Sequence, residues 1–167
     1  MSTLVVYESM WGNTRTVAEA LAEGIGSDVR VTQAADAPVP VPDEVQLLVV
    51  GGPTHAFSLP RVSTRRDAIA KGASANPAEI GVREWLARLA PSGHLDVATF
   101  DTRVGSVRHL PGSAARAIAK GVRRHDLGRL VGTESFYVED MAGPLLQGEV
   151  ERARAWGRSL AARRADR

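Results

Sequence analysis

Leu4-Val5-Val6-Tyr7-Glu8-Ser9-Met10-Trp11-Gly12-Asn13-Thr14 reads as a buried strand that turns sharply into a helix. The strand is Leu4 to Tyr7, and a short polar loop from Ser9 to Asn13 follows it. The helix begins near Thr14 and places Val17, Ala18, Leu21 and Ile25 on one face, at a period of about 3.6 residues. A helix start offers free backbone N–H groups and the positive end of the helix dipole. Set at the carboxyl end of a central strand, it makes an anion site. Ser9, Asn13 and Thr14 add side-chain donors, and Gly12 lets the backbone approach a ligand closely. One phosphate is the natural occupant.

Working outward, strands and helices alternate. The pattern predicts strands at about Thr3–Tyr7, Asp28–Gln33, Leu47–Gly51, Val97–Phe100 and Leu130–Val138. Between them it predicts helices at about Thr14–Ile25, Val82–Ala90, Pro111–Arg124 and Leu145–Arg163, with a short one near Thr64–Ala70. Ser113 is the expected N-cap of the fourth-strand crossover helix. Pro38, Pro40 and Pro42 exclude a regular helix over Ala34–Val45, so an extended connection is expected. The Gly72–Pro77 stretch reads as loose, and the whole 58–81 segment is a candidate lid or subunit contact. Alternation of this kind argues for a parallel sheet covered on both faces. In doubly wound sheets, ligands bind beyond the carboxyl ends of the strands, where the strand order reverses.

The first loop resembles the phosphate loop of the flavodoxin-like proteins, Ser/Thr-x-Thr-Gly-x-Thr, with Ser9, Met10, Trp11, Gly12, Asn13 and Thr14 in the six places. Trp11 replaces the middle Thr. A similar Ser-Met-aromatic-Gly loop occurs in flavodoxin-like NAD(P)H:quinone oxidoreductases. Gly51-Gly52-Pro53-Thr54-His55-Ala56-Phe57 resembles the Gly-x-Pro-Thr loop that flanks the flavin ring in the family. Ala98-Thr99-Phe100-Asp101-Thr102-Arg103 falls where the family's third loop is expected. The resemblance implies a three-layer α-β-α sandwich with a five-stranded parallel sheet in the order 2-1-3-4-5, over a single domain spanning 1–167. It implies FMN as cofactor. Ser9, Met10, Trp11, Gly12, Asn13 and Thr14 would lie at the phosphate. Pro53, Thr54, His55 and Phe57, with backbone groups of Asp101, Thr102 and Arg103, would hold the ring. Arg103 near a flavin would favour its reduced anionic form, and a surface ion pair is its other reading. Trp11 is readable as a loop aromatic, a subunit contact or part of the ring environment. His55 and Phe57 are equally readable as ring contacts or as loop packing.

Composition bounds the function. The chain has 167 residues, 44% of them hydrophobic, enough for one domain with a full core. It has no cysteine, so disulfides, thiol chemistry and cysteine-held clusters are excluded. A redox role must rest on a bound cofactor. The net charge of +2 is far from the acidic balance by which many flavodoxins dock on basic reductases. Basic residues are dispersed, and no nucleic-acid motif is present. His94, His109 and His125 have no metal-ligand spacing. No apolar stretch approaches the ~20 residues that span a bilayer, and the N-terminal apolar run is a strand rather than a signal segment. The cytoplasm is the expected location. Three functions remain: an FMN protein that passes electrons to a redox partner, an NAD(P)H-dependent quinone or flavin reductase, and an interaction module that has lost FMN. An oligomer is compatible with all three.

Overall fold

The computed structural model describes residues 2–74 and 78–165. The end of the Gly72–Pro77 stretch therefore lies outside the described residues.

Five parallel strands form the sheet: β1 (Ser2–Tyr7), β2 (Val29–Gln33), β3 (Val45–Pro53), β4 (Asp96–Val104) and β5 (Arg129–Val138). Their spatial order is β2-β1-β3-β4-β5. The helices are α1 (Asn13–Ile25), α2 (Val62–Ala70), α3 (Val82–Leu86), α4 (Ala114–Arg124) and α5 (Glu149–Ala165). The residues of β1 alternate between two cores, as a strand buried on both faces must. Leu4 and Val6 join Leu48, Val50, Trp85, Ile118 and Val122 under α3 and α4. Val5 and Tyr7 join Val49, Phe100, Phe136, Leu21 and Leu160 under α1 and α5. Gly51 pairs with Phe100 across β3 and β4, and a Cβ on it would lie 2.1 Å from the Phe100 ring. The absence of a side chain there is what seats the aromatic. On the same side of the sheet α1 and α5 cross at glycines. A Cβ on Gly24 would stand 2.1 Å from the Arg154 carbonyl oxygen, and one on Gly157 2.4 Å from that of Leu21.

Most elements fall where the sequence pattern puts them. The Pro-rich connection holds only a 3-10 turn at Ala34–Asp36, and the Trp85 indole donates to the Pro38 carbonyl at 3.2 Å. Three boundaries move by four residues. The third helix stops at Leu86 rather than Ala90, and tighter turns carry the chain on, the Arg88 N–H bonding to the Trp85 carbonyl at 3.0 Å and the Leu89 N–H to that of Leu86 at 3.2 Å. The last helix starts at Glu149 rather than Leu145, because Gly148 takes a left-handed φ of +86° and Leu145 bridges to Val138. The fourth strand runs on to Val104 instead of stopping at Phe100. That extension carries Asp101, Thr102 and Arg103 into the sheet.

Candidate functional site

A cavity of about 260 Å³ opens beyond the carboxyl ends of the central strands. It lies at the reversal in strand order between β1 and β3, where a doubly wound sheet takes its ligand. The first loop contributes Met10, Trp11, Asn13 and Thr14 to its wall, and the second contributes Pro53, Thr54, His55 and Ala56. The end of β4 adds Thr102, Arg103 and Val104, and α2 adds Thr64, Asp67, Ala68 and Lys71. Val138 and Met141 complete the lining.

The first loop turns through Gly12, whose φ of +91° a side chain resists and beside which a Cβ would meet nothing within 4 Å. The Ser9 hydroxyl accepts from the backbone N–H of Gly12 at 3.1 Å and of Arg15 at 3.3 Å. Both acceptor positions of that hydroxyl are thus filled, and its one proton is left to donate outward. The first-turn N–H groups of Asn13 and Thr14 have no i−4 carbonyl within α1. Ser9 and Gly12 belong to the outer part of the loop and not to the cavity wall. Thr14 is buried, and its hydroxyl pairs with that of Thr102 at 2.7 Å. It ties α1 to β4. The Asn13 amide faces Gly143, where a Cβ would lie 2.6 Å from Oδ1. Trp11 is half-buried against Met10, Ala68 and Ala73. Its indole nitrogen is enclosed and unpartnered among the described residues.

The second loop is a tight turn. His55 and Ser58 exchange two backbone hydrogen bonds, at 2.8 and 3.0 Å. Between them Ala56 and Phe57 both take left-handed φ values, +46° and +64°. Each such residue costs about 1–2 kcal/mol when it carries a Cβ. His55 lines the cavity, and burial followed by the nearby Arg65 charge lowers its pKa from the ordinary 6.5. Phe57 does not line the cavity. Its side chain is 51% exposed on the outside of the turn, and its carbonyl lies 2.6 Å from where a Gly112 Cβ would be. The Thr54 hydroxyl accepts from the Ala114 N–H at 2.9 Å and donates to Asp101 Oδ2 at 3.3 Å.

Asp101, Thr102 and Arg103 are strand residues, not a third loop. Their backbones pair in register with β5, and those of Asp101 and Thr102 also with β3. Asp101 is fully buried and lies off the cavity wall. Its Oδ2 accepts from the Ala115 N–H at 2.9 Å, which caps α4 alongside Ser113. Burial raises its pKa above 3.8, against the opposing pull of the Ala115 N–H, the Ser135 and Ser113 hydroxyls and the Arg103 charge. The loop that follows the strand is Gly105–Ser113. It is held by Arg103, whose Nη2 donates to the carbonyls of Val107 and Leu110 at 3.2 and 3.1 Å.

The α2 wall was not read from the sequence. Thr64, Ala68 and Lys71 recur at i, i+4 and i+7, the one available sign that they share a face. A buried ion cluster holds this wall in place. Arg65 donates from Nε to Glu8 Oε1 at 2.5 Å and from Nη2 to Glu84 Oε2 at 2.9 Å, and Nη1 binds the other Glu84 oxygen. The carbonyls of Ala78 and Pro60 take two more bonds, at 3.1 and 3.2 Å. Glu8 Oε2 also accepts from the Val82 N–H at 3.1 Å. Burial opposes the Arg65 charge, but its hydrogen bonds to Glu84 and Glu8 outweigh it and raise the pKa. Among the described residues no group of His, Asp and Glu side chains has the geometry of a metal site. No helix among them is long and apolar enough to cross a membrane.

Sheet order, crevice and loops define a doubly wound α/β protein with a cavity at the switch point. A flavodoxin family model matches residues 5–77. The whole chain superposes on a flavodoxin from the domain Archaea with a TM-score of 0.64 at 20% identity, covering 98% of each chain. The Streptococcus pneumoniae TIGR4 flavodoxin gives 0.64 at 18%, covering 98% of this chain and 99% of that one. A WrbA-like flavodoxin from Agrobacterium tumefaciens gives 0.60 at 18%, covering 99% and 98%. No curated protein sequence matches the chain. The chain has the flavodoxin-like fold.

Proposed function

We propose that the chain binds FMN in this cavity and passes electrons through it. The observation that carries the reading is the meeting of the two resemblance loops on one cavity at the switch point. The donor set fits the cofactor. The outward Ser9 hydroxyl proton, the Asn13 amide and the first-turn N–H groups of α1 suit a phosphate dianion. Met10, Trp11, Pro53 and His55 offer an apolar and aromatic wall to a flat ring. FMN, when bound, supplies the redox chemistry, and the protein supplies position, water exclusion and electrostatics. No side chain need act as acid or base. Near-neutral charge supports a partner other than the strongly basic reductases that acidic flavodoxins meet.

The test is a titration of the purified apo-protein with FMN, read by quenching of flavin fluorescence. Saturable one-to-one binding is expected. Absence of binding would leave a flavodoxin fold that serves as an interaction module. A second reading, an NAD(P)H-dependent quinone or flavin reductase, is favoured by the α2 wall, which brings Lys71 and Asp67 to the cavity from outside the two loops. Consumption of NAD(P)H by the FMN-loaded protein with a quinone supports that reading. Reduction only by a protein donor supports the carrier. The cytoplasm is the proposed location.

A further inference from the structure

Arg103 stands on the cavity wall near the end of β4, on the strand face that also carries Asp101. It is only 8% exposed. Two carbonyls take its Nη2, but Nε is enclosed and has no hydrogen-bond partner among the described residues. No ion pair among the described residues includes it. The contrast with Arg65, whose buried charge meets two carboxylates, is plain. Asp101 offers little compensation. Its Oδ2 is spent on α4 and Thr54, and burial pushes the group toward its neutral form. A guanidinium withdrawn from water without a counter-charge is costly, and carbonyl dipoles repay part of that cost only. The cavity is where Arg103 meets space that a ligand can fill. Thr102, the preceding residue, meets Thr14 of the phosphate loop on one face of β4, so the side chain of Arg103 stands on the opposite face from that loop. The phosphate is therefore not its counter-ion.

We infer that Arg103 is the counter-cation for negative charge on the ring of a reduced flavin, a role that presupposes the FMN site proposed above. Reduction of the oxidised ring by two electrons with uptake of one proton leaves an anion, and a second proton would neutralise it. The fixed charge of Arg103 favours the state with one proton and so tightens binding of the reduced cofactor relative to the oxidised one. Arg103 holds charge and moves no proton.

The experiment measures dissociation constants for oxidised FMN and for dithionite-reduced FMN in the wild type, Arg103→Gln and Arg103→Lys. The Gln variant is expected to bind oxidised FMN within about threefold of the wild type and reduced FMN at least tenfold more weakly. That tenfold change corresponds to a fall of about 30 mV in the two-electron potential. The Lys variant, which keeps the charge but not the fork, is expected to retain the wild-type ratio within about threefold. Proton uptake on reduction at pH 6 is the second readout, with one proton expected for the wild type and two for the Gln variant. Equal weakening of both redox forms in the Gln variant, or a loss in the Lys variant as large as in Gln, overturns the role. If the Gln variant does not fold, uptake of two protons by the wild type overturns it and uptake of one supports it. Failure of the wild type to bind oxidised FMN at all overturns the cofactor site and this role together. Binding with an unchanged ratio removes Arg103 alone.

Discussion

The two walls of the cavity treat buried charge in opposite ways. On the α2 side, Arg65 is 1% exposed and gives its donors to two carboxylates and two carbonyls. On the β4 side, Arg103 Nε is enclosed with no hydrogen-bond partner among the described residues. A buried group fully engaged by its own chain is architecture. A buried group left under-engaged is costly and persists where something outside the chain completes it. The 58–81 segment, a candidate lid by sequence, is pinned by its arginine to Glu8 at the end of the first strand.

The largest expected effect separates the walls directly. Arg65→Met strands Glu8 in a buried site and is expected to cost about 3–5 kcal/mol in urea unfolding. Arg103→Met removes a charge that had no carboxylate and is expected to cost less than about 1.5 kcal/mol. Equal losses would break the comparison. Next comes the anion end. Replacing Asn13 by Ala and Thr14 by Val together is expected to weaken FMN binding about 10- to 100-fold, the weight of one charge-assisted hydrogen bond. Unchanged binding in calorimetry would move the phosphate elsewhere. Third is the pH dependence of Asp101. Its folded pKa is raised, so the folded state holds the proton more tightly than the unfolded one. Its contribution is therefore stabilising below the unfolded pKa and is lost as pH rises from 3.8 through the folded pKa. Asp101→Asn is expected to gain on the wild type over that window, by about 1.4 kcal/mol for each unit of the rise. A gap that stays constant with pH would show Asp101 ionised without penalty. The smallest effect is in the strained turn. Ala56→Gly relieves a left-handed alanine at the expense of unfolded-state entropy, for a net gain of about 0.5 kcal/mol, measurable as a shift in the thermal midpoint.

What could be read in the sequence was local. Strand, loop and helix from Leu4 to Ile25 are one continuous pattern, and the Gly51–Phe57 loop follows directly on its strand. The β4 end could not be read this way. Asp101-Thr102-Arg103 has the polarity of a loop, yet each side chain finds a partner beyond the strand: the first turn of α4, Thr14, and the carbonyls of Val107 and Leu110. The ion cluster was equally hidden, since Glu8, Arg65 and Glu84 come from three separate elements. Phe57 was equally readable as a ring contact or as loop packing, and the double left-handed turn sets its side chain outside the cavity wall; turn handedness without glycine leaves no mark in the sequence.

The glycine crossing of α1 and α5 bears on how the chain is made. Gly24 and Gly157 belong to the first and last helices, so the core under them stays open until the carboxyl-terminal helix arrives. A nascent chain leaving the ribosome has every strand before it has that lid on its second core. α1 then gains its packing partner only once α5 has formed, which ties the order of the anion site at its start to the formation of that helix.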